Sequence, residues 1–451
     1  MVFDKLTSLA RRRAHSRLIT PVIVKVRPGY IDDLVAELSE YEFSVVRGLL
    51  DRIMPIEVPL GPLPMRVIRV FDMIAMPLPR EVIFSLAEDN RVERIYSDEL
   101  KFALRYPTVP QEGVYQTVHR LLRKPITFTS TYWTKQLVGG HVANSKGFTG
   151  KDVTVVVLDT GASPFHEQLS GIVKTSSVFA FQHLDTNGHG TWCCSCIAGR
   201  RSYDEWLSRE VGRAVVCEGI APDVDLYSIK CLGYVIGVGS DSDVIEGLSS
   251  ALQLRADVVS MSLGGAVQVE DPTEDPYYEV MKKLTASGAI PCVAAGNEGP
   301  GEGTIASPGW LEDVLTVGAY DPITGEVASY SSRGPTRDGR IKPDVIAPGG
   351  GHPDHGIDSA VVNLLDKAGD AALNRYSPIQ GTSMATPHVS GIIACMKQAH
   401  RQLLGRELTL EEVKRMMEQL ADHEKNNEAG WGLISWQKYE EWLSTEYGVV
   451  L

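Results

Sequence analysis

The 451-residue sequence is short of several features that would narrow its class at once. Basic residues are the minority, 44 Lys and Arg against 57 Asp and Glu for a formal charge of −13, and no Lys/Arg-rich stripe interrupts that balance. Polyanion binding needs a positive surface, so a nucleic-acid partner is not expected. The opening MVFDKLTSLARRRAHSRL is positively charged, but the ITPVIVKV after it is broken by Pro21 and Lys25, too short for a signal-peptide core or a membrane span. Neither secretion nor membrane association is expected from it. The 7 cysteines, an odd number without framework spacing in a long chain, fit reduced thiols better than a disulfide scaffold. The expected location is therefore cytoplasmic, with a non-standard export route left open. The remaining composition, 43% hydrophobic and 22% charged, suits a soluble globular chain. Its length allows roughly two to four domains.

What the chain does contain changes in kind along its length. After an N-terminal extension over 1–18, TPVIVKV (20–26) reads as a strand, IDDLVAELSEYE (31–42) as an amphipathic helix and FSVVRGLL (43–50) as a second strand. MRVIRVFDMIAMPLP (65–79) reads as a third strand, REVIFSLAED (80–89) as a second helix and RVERIYSDEL (91–100) as a fourth strand. The order βαββαβ is the ferredoxin-like plan, so 19–104 is expected to be a small α+β domain. Asn90, Asp98 and Glu99 are expected at solvated edges and turns of it. Residues 105–133 lack periodicity and read as a linker with a short helix at the centre, leading into a second domain over 134–451.

In that second domain DVTVVVLD, VDLYSIKCL, DVVSMSL, IPCVAAGN and VLTVGAY alternate with helical stretches such as SDVIEGLSSALQL. Near-continuous Val/Ile runs suit strands buried on both faces, which predicts an α/β sandwich on a mostly parallel sheet. The conspicuous polar residues stand where such sheets collect their chemistry, at strand ends and helix starts. Asp159 closes VTVVVLD, Asn297 closes IPCVAAGN, His189 stands in GHGT, and Ser383 stands in QGTSMATPHVSG before a helical run.

DTNGHGTWCCSC (185–196) admits two readings. On a helix His189, Cys193 and Cys196 share a face, and His/Cys clusters are what zinc selects. The alternative makes His189 a catalytic base. Asp159, His189, Asn297 and Ser383 together supply an orienting carboxylate, a base, an oxyanion donor and a nucleophile, the complete set for acyl transfer. A zinc site accounts for one of the four. Cys193, Cys194 and Cys196 are then read as small apolar residues of the helix after His189.

VVVLDTG (155–161), NGHGT (187–191), SMSLGG (260–265), AAGN (294–297) and GTSMATPHVSG (381–391) follow one another in an order that resembles the subtilisin-like serine peptidases, the subtilases. Asp159, His189, Asn297 and Ser383 are separated by 30, 108 and 86 residues in turn, which leaves room for the intervening strand and helix units. VASYSSRGPTRDGRIKPDVIAPGG (327–350) extends the match. The resemblance implies a three-layer subtilisin-like sandwich, a serine endopeptidase acting on proteins or peptides, and no cofactor for the chemistry. It also implies that Ser383 is the nucleophile, His189 the base, Asp159 its orienting partner and Asn297 the oxyanion donor. Ser262, Leu263, Gly264 and Gly265 would line the substrate cleft, with 237–240 as the opposite rail and Val244 in an outer apolar pocket.

By the same resemblance the N-terminal βαββαβ unit is a propeptide that acts as an intramolecular inhibitor and is removed by self-cleavage, Leu104 being the expected residue before the cut. Departures from the family pattern are as informative. Trp192 replaces a frequent second histidine, altering the support beneath the base. Subtilases often bind structural calcium through an aspartate nine residues after the catalytic one, but here that residue is Gln168. Asp241 and Asp243, in GVGSDSDVIEGL, are the other acids open to a calcium reading, with helix N-capping as the simpler one. No metal ligand is assigned. His388 is read as structural, and the insertions over 200–219 and 351–376 are expected at the cleft or behind it.

Overall fold

The structure, a computed structural model, describes residues 5–16, 19–39, 65–103, 128–179, 183–233, 237–351, 355–362 and 374–451. Its contacts separate into two compact units. The smaller comprises Met1–Leu100, Ser240–Ser249 and Gln268–Val280; the larger comprises Lys101–Gly239, Ser250–Val267 and Met281–Leu451.

The smaller unit is built on a four-stranded antiparallel sheet in the order Arg66–Ile68, Met73–Pro79, Ile19–Val26, Val92–Ser97. Val22 pairs with Met76 and Val24 with Ile74, and these alternate side chains enter one core with Leu34 and Leu38 of the helix described over 31–39 and Ile83 and Leu86 of Arg80–Glu88. Period-two burial on the strands and a single apolar stripe on each helix are what such a two-layer core requires. The stretch 65–79, expected as one strand, is a hairpin: a 3₁₀ turn at Arg69–Phe71 and Asp72 at φ 50 fold Arg66–Ile68 back on Met73–Pro79. An aspartate tolerates that left-handed conformation, so the apolar run hid the turn. Among the described residues the second strand of this order is Arg66–Ile68, and the expected strand over 43–50 lies outside them. Residues 5–16 of the expected extension join this core, because the helix Ser8–Ser16 buries Ala10 and Ala14 in it and Leu6 bridges Ile95.

Asp98 and Glu99, expected at solvated edges, are engaged in the smaller unit. Asp98 accepts from the Ser242 N–H at 2.9 Å and from Ser242 Oγ at 2.7 Å, at the start of the helix Asp241–Gln253. Glu99 exchanges backbone contacts with Asp241, its N–H reaching Asp241 Oδ2 at 3.1 Å and its carbonyl accepting the Asp241 N–H at 2.8 Å. Both oxygens of its carboxylate take the Arg13 guanidinium at 3.1 Å. Asn90 is exposed as expected.

The larger unit is a three-layer α/β sandwich. Its seven-stranded sheet runs in the order Val345–Pro348, Leu315–Tyr320, Ile290–Ala294, Val258–Met261, Thr154–Asp159, Asp225–Lys230, Lys174–Ser177, with every pair parallel. Val155 to Leu158 are wholly buried, as a central strand covered on both faces must be. From Thr154–Asp159 the chain first reaches the edge strand Lys174–Ser177, returns to Asp225–Lys230 beside the start, then crosses to Val258–Met261 and builds outward on the other side, so the order reverses beside Thr154–Asp159, the place where parallel sheets open a crevice at their carboxyl ends. Two buried helices, His189–Ala198 and Thr382–Leu404, pack on the sheet and on each other.

Of the expected linker, 104–127 lies outside the described residues, while Phe128–Ser130 pairs with Gly356–Ala360 and the helix Thr131–Leu137 follows at once. The last linker residues thus belong to the folded body. The insertions lie against each other: Asn374 donates to both Asp204 oxygens at 2.9 Å, and Tyr376 reaches Ser202 Oγ at 2.8 Å. Trp192 Nε1 donates to the Ile357 carbonyl at 3.1 Å, and Ser195 Oγ meets Ser359 Oγ at 2.7 Å. The second insertion therefore backs the helix that begins with His189. All 7 cysteines are buried, and none forms a disulfide. Among the described residues no helix is long and apolar enough to cross a membrane.

Candidate active site

Asp159, the last residue of the central strand, meets His189, the first residue of its helix, at the mouth of the crevice. His189 Nδ1 lies 2.8 Å from Asp159 Oδ1 and 3.0 Å from Oδ2, and both side chains are fully buried. A carboxylate only accepts, so Nδ1 carries the proton and Nε2 is the basic nitrogen. Nε2 is buried and without a hydrogen-bond partner among the described residues. Gly190 allows this approach, since a Cβ there would stand 2.0 Å from the Gly161 carbonyl oxygen.

The loop before His189 is organised by a residue the sequence reading passed over. Asp185 Oδ1 accepts from Asn187 N–H, Gly188 N–H and Thr160 Oγ at 2.9, 2.8 and 3.0 Å, and Oδ2 accepts from Thr191 N–H and Oγ at 3.0 and 2.6 Å. Burial nevertheless raises its pKa above the ordinary carboxylate value, the hydrogen bonds opposing that shift. Thr160 Oγ accepts the Gly190 N–H at 2.9 Å, and buried Lys230 donates to the Thr160 carbonyl at 2.8 Å. An Asp two positions before Asn-Gly, with Thr two positions after His, is a loop-capping signal that could have been read.

Ser383 lies in the first turn of Thr382–Leu404, where the helix dipole favours developing negative charge. Its hydroxyl donates to the Ser262 carbonyl at 3.1 Å and its own carbonyl accepts from Ser262 Oγ at 2.9 Å. Cys193 stands between nucleophile and base, its sulfur 3.7 Å from the Ser383 carbonyl and 3.9 Å from His189 Nδ1. Asn297 Oδ1 accepts from Thr382 N–H and Oγ, both at 2.9 Å, which identifies Nδ2 as the donor end. Nδ2 is buried and without a partner among the described residues. Cys193 thus touches both His189 and Ser383, and Thr382 ties Asn297 to the turn that carries Ser383.

Leu263–Gly264 forms an edge already occupied by the chain's own residues. Leu263 pairs antiparallel with Ala103 and Gly264 with Phe102, while the Ala103 N–H donates to the Gly237 carbonyl at 3.0 Å. The resulting ribbon has Leu100–Ala103 in the middle and Val238–Ser240 on the far side. Gly237, at φ +70, allows the approach, for a Cβ would stand 3.2 Å from that of Ala103. Gly265 turns away to exchange hydrogen bonds with Ser307 at 3.0 and 2.9 Å. Val244 is fully buried in the smaller unit.

Ligand atoms of Asp159, His189 and Cys193 lie within 4.8 Å of one another, the nearest approach to the zinc reading. Their chemistry does not fit a metal. Burial, and then the Asp159 charge, push the Cys193 thiol well above its ordinary pKa, so it stays protonated, and His189 Nδ1 is committed to Asp159. Cys196 faces another histidine, its sulfur 3.4 Å from His388 Nδ1. His388 donates from Nδ1 to the Met384 carbonyl at 2.7 Å and accepts from Thr134 Oγ at 2.6 Å. Burial lowers its pKa to about 4, a neutral structural imidazole.

The calcium candidates fare similarly. Gln168 donates from Nε2 to the Arg200 carbonyl at 3.0 Å. Asp243 accepts from Ser240 N–H at 2.7 Å while Ser240 Oγ accepts from the Asp243 N–H at 3.3 Å, a capping box with Ser240 as the cap, and Asp243 pairs with Arg66 at 2.7 Å, a guanidinium where a cation would stand.

Comparison with known proteins agrees with this geometry. The subtilase family profile matches residues 150–432. The chain is 36% identical over 304 residues to serine protease AprX of Bacillus subtilis strain 168, covering 64% of this chain and 65% of that protein. It is 34% identical over 276 residues to alkaline elastase YaB of a Bacillus species, covering 60% and 61%. It is 30% identical over 279 residues to the major intracellular serine protease of Bacillus subtilis, covering 60% and 76%. The chain spans less than two thirds of the length of the first two relatives.

Proposed function

The chain belongs to the subtilase family, and from that premise we propose that it is a serine endopeptidase cutting peptide bonds through an acyl-enzyme on Ser383. The observation that carries this reading is the state of His189, with Nδ1 held by Asp159 at 2.8 Å and Nε2 buried and unbonded among the described residues. Ser383 Oγ attacks the peptide carbonyl while Nε2 removes its proton, and Asp159 fixes the tautomer and stabilises the imidazolium. Asn297 Nδ2 donates to the oxygen that becomes negative. The imidazolium then protonates the departing amine, and water, activated by the same nitrogen, hydrolyses the ester. Every group in that sequence is a side chain of this protein, and no metal or cofactor enters a step.

We further propose that the protein is a self-cleaving zymogen with 1–104 as its propeptide. The pairing of Ala103 with Leu263 and of Phe102 with Gly264 supports this, because it lays the chain's own residues on the edge that directly follows Ser262, whose carbonyl holds the Ser383 hydroxyl. Leu104 itself lies outside the described residues. The proposed cut lies between 104 and 105 and is made fast by tethering. Substrates are proteins or peptides bound as an added strand on Leu263–Gly264. A reducing, cytoplasmic setting is proposed from seven buried cysteines of which none forms a disulfide.

Mass spectrometry of the wild type beside Ser383→Ala tests the proposal. The wild type should yield a body beginning at 105, whereas Ser383→Ala should remain at 451 residues and fail to react with a fluorophosphonate. Processing or labelling of Ser383→Ala would overturn the mechanism, and an active wild type that stays uncut would overturn the zymogen alone.

A further inference from the structure

Ser262 and Ser383, both fully buried, exchange two hydrogen bonds, and each has a local cause. In the helix Thr382–Leu404 the Ser383 carbonyl should accept the N–H four residues on, but that residue is Pro387, which has none. A carbonyl orphaned in a dry first turn needs another donor. Ser262 Oγ supplies it at 2.9 Å, with the Cys193 thiol more distant at 3.7 Å. The return bond runs from Ser383 Oγ to the Ser262 carbonyl at 3.1 Å. Ser262 follows the strand Val258–Met261 and directly precedes the edge Leu263–Gly264 that pairs with residues 102 and 103.

We propose that Ser262 is a positioning residue for the nucleophile, fixing the first turn that carries Ser383 through its hydroxyl. The inference rests on the reading of Ser383 as nucleophile. Pro387 is what makes it necessary: by withholding an N–H, the helix hands control of its first turn to the residue beside the substrate edge. The separation between Ser383 Oγ and a bound carbonyl carbon is then set through one residue, Ser262, rather than through the length of a helix. Loosening that link misplaces the nucleophile without removing any contact with the peptide, so the cost falls on turnover rather than on binding.

Ser262→Ala should lower kcat on a chromogenic peptide, and the rate of fluorophosphonate labelling, about tenfold, the rate equivalent of one hydrogen bond to a buried acceptor. KM should stay within about twofold and the pH at half-maximal kcat should not move, because the Asp159–His189 pair is untouched. Ser262→Thr, which keeps the hydroxyl, should recover most of the loss. In Pro387→Ala the new N–H can serve the Ser383 carbonyl, so adding Ser262→Ala should cost much less there than in the parent. If Ser262→Ala matures too slowly to assay, the rate of its own cleavage reports the same quantity, since an intramolecular cut has no KM. Full kcat and full labelling in Ser262→Ala, a loss carried by KM alone, or an unchanged cost in Pro387→Ala would each overturn the inference. Activity surviving in Ser383→Ala would instead remove the reading beneath it, whereas an inert Ser383→Ala beside a normal Ser262→Ala removes only the role of Ser262.

Discussion

Asn297 shows how a single side chain is made useful by what holds its other end. Its Oδ1 is committed to Thr382 N–H and Oγ, both at 2.9 Å, so the amide cannot flip, and Nδ2 is buried with its protons unspent among the described residues. An unsatisfied buried donor is costly in the resting protein and becomes favourable only when negative charge arrives. Asn297→Ala should therefore lower kcat by about 10²–10³ with little change in KM, the magnitude of such a donor in subtilisin itself. Steady-state kinetics on one peptide checks this, and a change confined to KM would assign Asn297 to substrate binding. Asn297→Asp should not restore the rate, because an ionised carboxylate offers no donor.

At the scale of elements, the chemistry depends on a helix starting within contact distance of a strand end. Gly190 permits this: with a Cβ it would stand 2.0 Å from the Gly161 carbonyl and 3.2 Å from the Asp159 Cβ. Gly190→Ala must push the helix His189–Ala198 away from the central strand, lengthening the Asp159–His189 bond. Activity should fall by more than about a hundredfold. Overpacking of this kind should also cost about 1–3 kcal/mol of stability, seen as a lower thermal midpoint. An active Gly190→Ala with an unchanged midpoint would mean the helix has room that these distances deny.

Elements were legible in the sequence to different degrees, for physical reasons. Long Val runs such as VTVVVLD declare a strand covered on both faces, and the glycine-flanked GHGT and GTSMATPHVSG declare tight junctions. Asp72 did not stand out within an apolar run, so a hairpin read as one strand. Asp185 was missed because its five hydrogen bonds go mostly to backbone N–H groups, which leave no mark on composition. Ser262 was placed in the cleft, but its bond to the Ser383 carbonyl follows only once Pro387 is seen inside a helix.

At the scale of the whole molecule, cleavage after residue 104 would leave a fragment held by non-covalent contacts alone, and some of the most telling lie in the smaller unit. Asp98 holds Ser242, Glu99 holds Asp241, Arg66 pairs with Asp243 and Glu246, and Arg94 donates to the Thr273 carbonyl at 2.7 Å. Asp98 is the weak member. Burial first, and then the Asp241 charge, push its pKa up from 3.8 to about 7, with Asp243 adding to the rise and the Ser242 bonds opposing it. Glu99 and its Arg13 partner, and Arg66 on Asp243, complete the charged surroundings. The sign follows from linkage: the held state binds the Asp98 proton more tightly than the released state does. Its advantage is fully present below 3.8, declines as pH rises toward about 7, and is gone above. Raising the pH across that window should loosen the fragment. After self-cleavage, gel filtration should recover more of the 1–104 fragment with the enzyme body at pH 5.5 than at pH 8. Asp98→Asn keeps an acceptor for the Ser242 N–H and removes the ionisable group, so it should retain the fragment equally at both pH values. Measuring retention rather than peptidase activity keeps the pH dependence of turnover out of the result. If Asp98→Asn releases its fragment with the same pH dependence as the wild type, some other group governs the hold and Asp98 is only a helix cap.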